Sequence, residues 1–128
     1  WSRFSNVKIN LSGSTLITGV NGSGKSTILD AMLYMLTGNT QFNKAAKDQD
    51  RSIISYVRGD TKSNGEERFL RSGKVITYLA MEFYSPIEQC DFVVGVCIES
   101  PNESQSKSYW FVKRDSQIED FNFYKIKK

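Results

Sequence analysis

Residues 17–32, ITGVNGSGKSTILDAM, limit the possible folds more than any other stretch of the chain. Apolar residues lead into three glycines, and the chain then passes through Lys25 into a segment with apolar residues at helical spacing. Gly22 and Gly24 allow backbone conformations that a Cβ would block, so that successive N–H groups can point inward. A helix that begins at Lys25 directs its unpaired N–H groups and the positive end of its dipole to the same place. The stretch therefore predicts a strand, a loop and a helix arranged to bind an anion.

The loop Gly19–Ser26 fits the pattern G-x-x-x-x-G-K-[ST] of the P-loop, or Walker A motif. A random match in a chain of this length is roughly a half-percent event at average residue usage. The pattern predicts that Lys25 reaches the β and γ phosphates of a nucleotide, that Ser26 ligates Mg²⁺ through its hydroxyl, and that Thr27 bonds the α phosphate. The residues predicted to hold the nucleotide are Asn21, Gly22, Ser23, Gly24, Lys25, Ser26 and Thr27.

The periodicity of the rest of the chain predicts one α/β domain over residues 1–128, in three parts. A strand–loop–helix unit covers 4–38, in which the apolar residues cover enough of the helix to predict that it is well buried. A polar, basic segment covers 39–74, with a short helix or turn near 45–57 and an exposed loop at 59–67. An antiparallel meander covers 75–126, because the connections between its strands are too short for parallel crossovers. The predicted strands are 4–11, 15–20, 75–84, 90–98, 107–114 and a weaker one at 121–126.

Composition excludes several classes of function. The chain has no histidine, and its two cysteines provide neither a disulfide framework nor a zinc pattern. Its longest apolar run, residues 92–98, is far shorter than the roughly 20 residues that a membrane span needs. A net charge of +3 permits a nucleic-acid partner without requiring one. We expect a cytoplasmic protein with no membrane contact and, because the chain starts at Trp1, a longer protein around it.

Three classes of P-loop protein differ in the sequence that accompanies the loop. A GTPase needs an N-K-x-D element, but Asn43-Lys44 is followed by two alanines. A small nucleoside kinase continues into parallel βα units, whereas this chain continues into a meander. An ATPase of the ABC class packs an antiparallel β-subdomain beside its nucleotide-binding core, which fits the meander.

The segment NGSGKSTILDAM, residues 21–32, closely resembles the P-loop and following helix of SMC-like ATPase heads, including condensin-type, RecF-type and double-strand-break-repair proteins. The segment FNKAAKDQDRSIISYVRG, residues 42–59, is similar to MukB-like bacterial SMC proteins, their MksB relatives and the JetC subunit of Wadjet plasmid-defence systems. The resemblance implies the N-terminal lobe of an ABC/SMC-type head that uses ATP and Mg²⁺. It also implies a homodimer of heads with ATP between them, attached coiled coils, accessory subunits, and a role in DNA loop extrusion, clamping, plasmid restriction or chromosome organisation near the nucleoid.

The chain departs from a complete ATPase in the motifs that act together with the P-loop. ATP hydrolysis needs a Walker B carboxylate for Mg²⁺ and a group that orients the attacking water. Glu82 and Glu99 come closest to that pattern, but both lie on predicted meander strands without an Asp-Glu pair, and no LSGG-like signature occurs. We therefore assign no catalytic residue within the segment and expect no meaningful hydrolysis by the chain alone. A non-catalytic nucleotide-binding module and a small P-loop kinase stay open as alternatives.

Basic residues cluster in the polar segment, and two interpretations of them stay open. One is a solvated surface of mixed charge, and the other is a contact with the DNA backbone without base readout. Arg51 and Arg58 are the first candidates for such a contact. The basic residues are Lys44, Lys47, Arg51, Arg58, Lys62, Arg68, Arg71 and Lys74.

Overall fold

The computed structural model describes residues 1–11, 13–20, 22–40, 52–63 and 66–121. Within these ranges, two α-helices accompany a two-stranded and a three-stranded antiparallel sheet. No helix in the described ranges is long and apolar enough to cross a membrane. The elements are α1 (Lys25–Thr37), α2 (Ile53–Arg58), β1 (Asp60–Ser63), β2 (Glu66–Phe69), β3 (Val75–Ser85), β4 (Cys90–Asn102), β5 (Gln105–Arg114) and a 3-10 helix, η1 (Ile118–Asp120).

The predicted antiparallel meander is confirmed as a sheet in the order β3-β4-β5. Leu79 pairs with Val96, and Val96 pairs with Trp110, so the apolar side chains of neighbouring strands share one face. On that face Val75, Val96 and Ile98 are buried, as the two-residue alternation requires. β4 and β5 extend beyond their predicted ends at the turn that joins them.

The two helices cover one end of this sheet face and form the hydrophobic core with it. Each fully buried aliphatic side chain in such a core contributes about 1.5–3 kcal/mol. α2 has only six residues, and a capping box closes its N terminus. The Ser52 hydroxyl accepts from the Ser55 N–H, and the Ser55 hydroxyl accepts from the Ser52 N–H. The core consists of Trp1, Tyr34, Met35, Tyr56, Val57, Val75, Val96 and Ile98.

Helix α1 forms where the sequence predicts it, from Lys25 to the residue before Gly38. Gly38 takes the left-handed conformation, with φ 69°, and its N–H bonds the Tyr34 carbonyl, which closes the last turn. The prediction that the helix is well buried is wrong for one side. Leu29, Leu33 and Leu36 form a half-exposed stripe, because only the opposite side packs on the sheet.

The two strands predicted before the phosphate loop are not strands in this structure. Residues 4–11 and 15–20 form no ladder, and Leu16 and Val20 are 85% and 79% exposed. Residues 5–11 and β3 line a cleft of about 700 Å³, and no ladder joins the two segments. Alternation indicates which residues would share a face, whereas a strand also needs a neighbour at hydrogen-bonding distance.

The loop predicted at 59–67 is instead the hairpin β1–β2, with Ser63 paired to Glu66. The missed signal is the Asn-Gly pair between the two strands, since this dipeptide strongly favours a two-residue hairpin turn. The helix predicted near 45–57 is present as α2, and its earlier part lies outside the described residues. The weak strand predicted at 121–126 also lies outside them, apart from Phe121. The division of the chain into three parts stays a prediction.

Candidate nucleotide site

The phosphate loop combines two left-handed glycines with a tight turn. Gly22 and Gly24 have φ values of 84° and 99°, which residues with a Cβ rarely adopt. The Ser23 N–H bonds the Val20 carbonyl at 3.1 Å and holds the turn between them. The ring of Phe4 packs on Gly24 so closely that a Cβ there would lie 2.8 Å from its Cζ. Only glycine fits this position, for reasons of both conformation and space.

The Lys25 ammonium group lies along the loop. Its Nζ donates to the Val20 carbonyl at 3.0 Å and to the Gly19 carbonyl. A Cβ at Gly19 would lie 2.5 Å from the Ser23 Oγ, so Gly19 leaves the room that the Ser23 side chain uses. These two hydrogen bonds hold the positive charge of Lys25, the residue predicted to bind phosphate, at the loop.

The start of α1 is electrostatically suited to an anion. Gly24 caps the helix without a side-chain hydrogen bond, and the first turn contains no acidic residue. The N terminus therefore combines N–H groups, the helix dipole and the Lys25 charge, with no carboxylate in the first turn to oppose them. Ser26 and Thr27 lie in this first turn and are both half-buried. Asn21 lies outside the described residues.

Two aromatic side chains from distant parts of the chain support the first two turns of α1. The Trp1 indole Nε1–H donates to the Thr27 carbonyl at 3.0 Å. The Trp1 ring stacks on Tyr56, with centroids 4.4 Å apart and planes 3° from parallel. The Tyr56 hydroxyl in turn donates to the Asp30 carboxylate. Trp1 and Tyr56 belong to the hydrophobic core, and no motif in the sequence connects them with the phosphate loop.

Arg58 is not available to DNA, and the prediction at this residue is corrected. Its side chain is 0% exposed. The guanidinium donates to the Arg71 carbonyl at 3.1 Å, the Gly73 carbonyl at 2.7 Å, and the Ser100 carbonyl and hydroxyl at 3.1 and 3.2 Å. Arg58 therefore ties α2 to β4 and to the segment before β3. Arg51 lies outside the described residues.

Arg71, another member of the basic cluster, is also a structural residue. Its guanidinium donates to the carbonyls of Ser2 at 2.8 Å, Phe4 at 3.1 Å and Val57 at 3.2 Å. These bonds fix the first residues of the chain against α2. This first segment of the chain includes Trp1, which bonds Thr27, and Phe4, which packs on Gly24. Arg71 therefore helps to position the two side chains that contact the phosphate loop and the start of α1.

The two glutamates closest to a Walker B pattern lie in the sheet. Glu82 accepts from the Ile118 N–H at 2.9 Å and so holds the start of η1. Glu99 pairs with Ile76 and Lys107 in the meander ladder. Within the described parts of the chain, no group of three acidic or cysteine side chains is arranged to hold a metal ion. Both glutamates thus belong to the sheet, whereas the features suited to phosphate lie in the loop and at the start of α1.

Comparison with known proteins agrees with the loop geometry. Residues 1–49, less than half of the chain, match the family model described as the P-loop containing region of AAA domain. Over 80 residues, 62% of this chain, the sequence is 32% identical to SbcC, a component of the nuclease SbcCD from Pseudomonas aeruginosa. The chain spans only 6% of that relative's length. No solved structure matches the chain significantly. The matched family region contains the phosphate loop, in agreement with the sequence motif and with the loop geometry.

Proposed function

We propose that residues 1–128 form the ATP-binding part of an SMC-like ATPase head, of the MukB/MksB and JetC type. The observation that carries the proposal is the phosphate loop, in which Gly22 and Gly24 turn the backbone, Lys25 lies at the loop and α1 begins without an opposing charge. The match to a P-loop region and the similarity to a nuclease component support it.

The residues at the loop fit Mg²⁺ and a nucleotide. The N-terminal N–H groups of α1 and the Lys25 ammonium would bind the phosphates, and the Ser26 hydroxyl is a hard oxygen ligand that suits Mg²⁺. Thr27, next in the first turn, would bond the α phosphate. Mg²⁺, when bound, would supply neutralisation of the phosphate charge.

Exposed apolar residues around the loop support a larger head. Leu16 precedes the loop and Val20 lies in it, both are largely exposed, and the leucine stripe of α1 follows. Large exposed apolar side chains gathered before, in and after one loop are typical of a region that another polypeptide surface covers. We propose that the remainder of the head covers it and brings the Walker B carboxylate and signature motif that this segment lacks.

The wider function follows from the resemblance and is part of the proposal. Two heads would close on ATP as a homodimer and separate after hydrolysis. Attached coiled coils and accessory subunits would convert this cycle into DNA loop extrusion, clamping, plasmid restriction or chromosome organisation in the nucleoid-containing cytoplasm. With Arg58 buried, Arg51 is the one of the two arginines that we propose for contact with the DNA backbone.

Equilibrium binding of ATP with Mg²⁺ to the full-length protein that contains this segment tests the proposal. We expect Lys25→Ala to weaken binding by about a hundredfold, because one charged contact to phosphate in a loop of this kind is worth roughly 2–3 kcal/mol. Lys107→Ala is the matched control, since Lys107 is an exposed lysine of β5. Its binding should equal that of the wild type.

Two results would contradict the proposal. Absence of ATP binding by the wild type would refute a nucleotide site, and equal binding by Lys25→Ala would refute the role of the loop. Steady ATP turnover by the isolated 128-residue chain, abolished by Lys25→Ala, would refute the split-head part and favour a complete small enzyme.

A further inference from the structure

Asp30 is a carboxylate on the buried side of α1, where an apolar residue would pack at lower cost. Its side chain is 3% exposed and lies in the face that also buries Tyr34. Removing a carboxylate from water costs several kcal/mol unless hydrogen bonds compensate. Buried polar pairs are often no more stabilising than apolar side chains of the same volume. The fold alone therefore gives a weak reason for a carboxylate at this position.

The location of Asp30 in the helix suggests another reason. Asp30 follows Ser26 by four residues, so the two side chains lie on the same side of α1, one turn apart. Its partner is the Tyr56 hydroxyl, which comes from α2 and is itself buried. The bond thus joins the helix that begins at the phosphate loop to an element that is distant from the loop in sequence.

Trp1 adds a second attachment to the same region. It stacks on the Tyr56 ring, and its Nε1–H bonds the Thr27 carbonyl. Two side chains in contact with each other therefore hold α1 at Thr27 and at Asp30, within one turn. This arrangement fixes both the depth of the helix and its rotation about its axis.

We propose that Tyr56 and Asp30 are positioning residues of the Mg²⁺–nucleotide site. The bond between them sets the rotation of the first two turns of α1 and thereby the direction of the Ser26 hydroxyl and of the first N–H groups. The inference rests on the proposed ATP-binding function. Neither residue touches the nucleotide, and both act through the helix.

A pair of tyrosine variants in the full-length protein tests the inference. Tyr56→Phe keeps the ring that stacks on Trp1 and removes only the hydroxyl. Tyr34→Phe is the matched control, because Tyr34 is 4% exposed and lies near Trp1, with centroids 6.1 Å apart. Its hydroxyl shares a hydrogen bond of 2.5 Å with the Ser108 Oγ on β5, at the third turn of α1 rather than the first two. Both variants lose one buried hydroxyl and should show similar decreases in thermal stability.

The measurement is the dissociation constant of ATP with excess Mg²⁺ and again with EDTA. We expect Tyr56→Phe to weaken Mg²⁺-dependent binding by about tenfold, the size of effect that partners of metal ligands usually have. Binding in EDTA should change less, since Ser26 acts through the metal. Tyr34→Phe should bind as the wild type does under both conditions, even though its stability falls.

Equal Mg²⁺-dependent affinities for the two tyrosine variants would overturn the inference. In that case the proposed function would still stand if Lys25→Ala weakened binding as expected, whereas absence of binding by the wild type would refute both. If Tyr56→Phe does not fold, Asp30→Asn and Asp30→Ala test the same bond from the other side. The asparagine keeps an acceptor oxygen for the phenol, so its affinity should exceed that of the alanine variant, and equal affinities would again overturn the inference.

Discussion

Arg58→Ala should strongly destabilise the protein, although an arginine in a polar, basic segment is usually expected on the surface. The side chain is fully buried, and its guanidinium donates to three carbonyls and one hydroxyl. These acceptors belong to Arg71, Gly73 and Ser100, which lie 13 to 42 residues further along the chain. The substitution therefore removes one side chain but frees acceptors in two separate segments.

The magnitude follows from those acceptors. A buried carbonyl left without a donor costs about 1–3 kcal/mol, and water entering the vacated space can satisfy some of them. We expect a net loss of about 3–5 kcal/mol, at the upper end of the range for single substitutions. At about 3–4 °C per kcal/mol for a chain of this size, the unfolding midpoint should fall by roughly 10–20 °C. Arg58→Lys should lose about half as much, because one ammonium cannot reach both segments at once.

Thermal unfolding followed by tryptophan fluorescence measures this effect, since Trp1 is buried in the folded protein. Arg114→Ala is the control, because the Arg114 side chain is 63% exposed and should contribute within about 0.5 kcal/mol. DNA binding by Arg58→Lys below its midpoint should keep the salt dependence of the wild type. An unchanged midpoint for Arg58→Ala, together with a shallower salt dependence of DNA binding, would show that the guanidinium faces solvent and DNA after all.

Three further predictions concern glycine positions and a thiol. Gly24→Ala should abolish Mg²⁺–ATP binding, because Gly24 has a φ of 99° and the added Cβ would lie 2.8 Å from the Phe4 ring. Gly22→Ala should weaken binding far less in the same titration, because Gly22, with a φ of 84°, has open space around it. Gly95→Ala should destabilise the meander by about 1–3 kcal/mol in urea unfolding, since the added Cβ would lie 2.7 Å from a backbone carbonyl and 2.5 Å from the Phe111 ring. Burial raises the pKa of the Cys97 thiol, so at pH 8 iodoacetamide should alkylate Cys97 more slowly in the folded protein than in urea. The difference in rate should shrink as the pH rises past the pKa of the folded protein, and equal rates at pH 8 would contradict the prediction.

The parts of the fold that the sequence predicts correctly depend on neighbours in the chain. α1 begins and ends where the glycines and the apolar spacing indicate, because each of its hydrogen bonds joins residues four apart. The meander is predictable for a similar reason, since its strands alternate and short turns join them. Residues 4–11 alternate equally well and yet form no ladder, because pairing depends on a neighbouring edge that the pattern does not contain.

The basic residues show that local sequence also fails to predict which side chains are buried. Arg51 and Arg58 look alike in sequence, and their surroundings in the polar segment suggest solvent. The burial of Arg58 depends on carbonyls of residues 71, 73 and 100, which the sequence near Arg58 does not reveal. Composition thus indicates how many charges a segment carries, whereas the tertiary contacts determine which of them can meet a partner.

The candidate site likewise consists of residues that the local sequence predicts and of residues that it does not. The residues expected to touch phosphate and metal form one continuous motif, since the loop and the first turn of α1 are consecutive in the chain. The residues that hold this turn in place, Trp1 and Tyr56, are each 26 residues away from the groups that they bond, Thr27 and Asp30. A motif can therefore identify the ligand without indicating how its binding is tuned. If Tyr56→Phe changes Mg²⁺-dependent affinity while Tyr34→Phe does not, the orientation of a P-loop helix in this protein depends on contacts outside the motif.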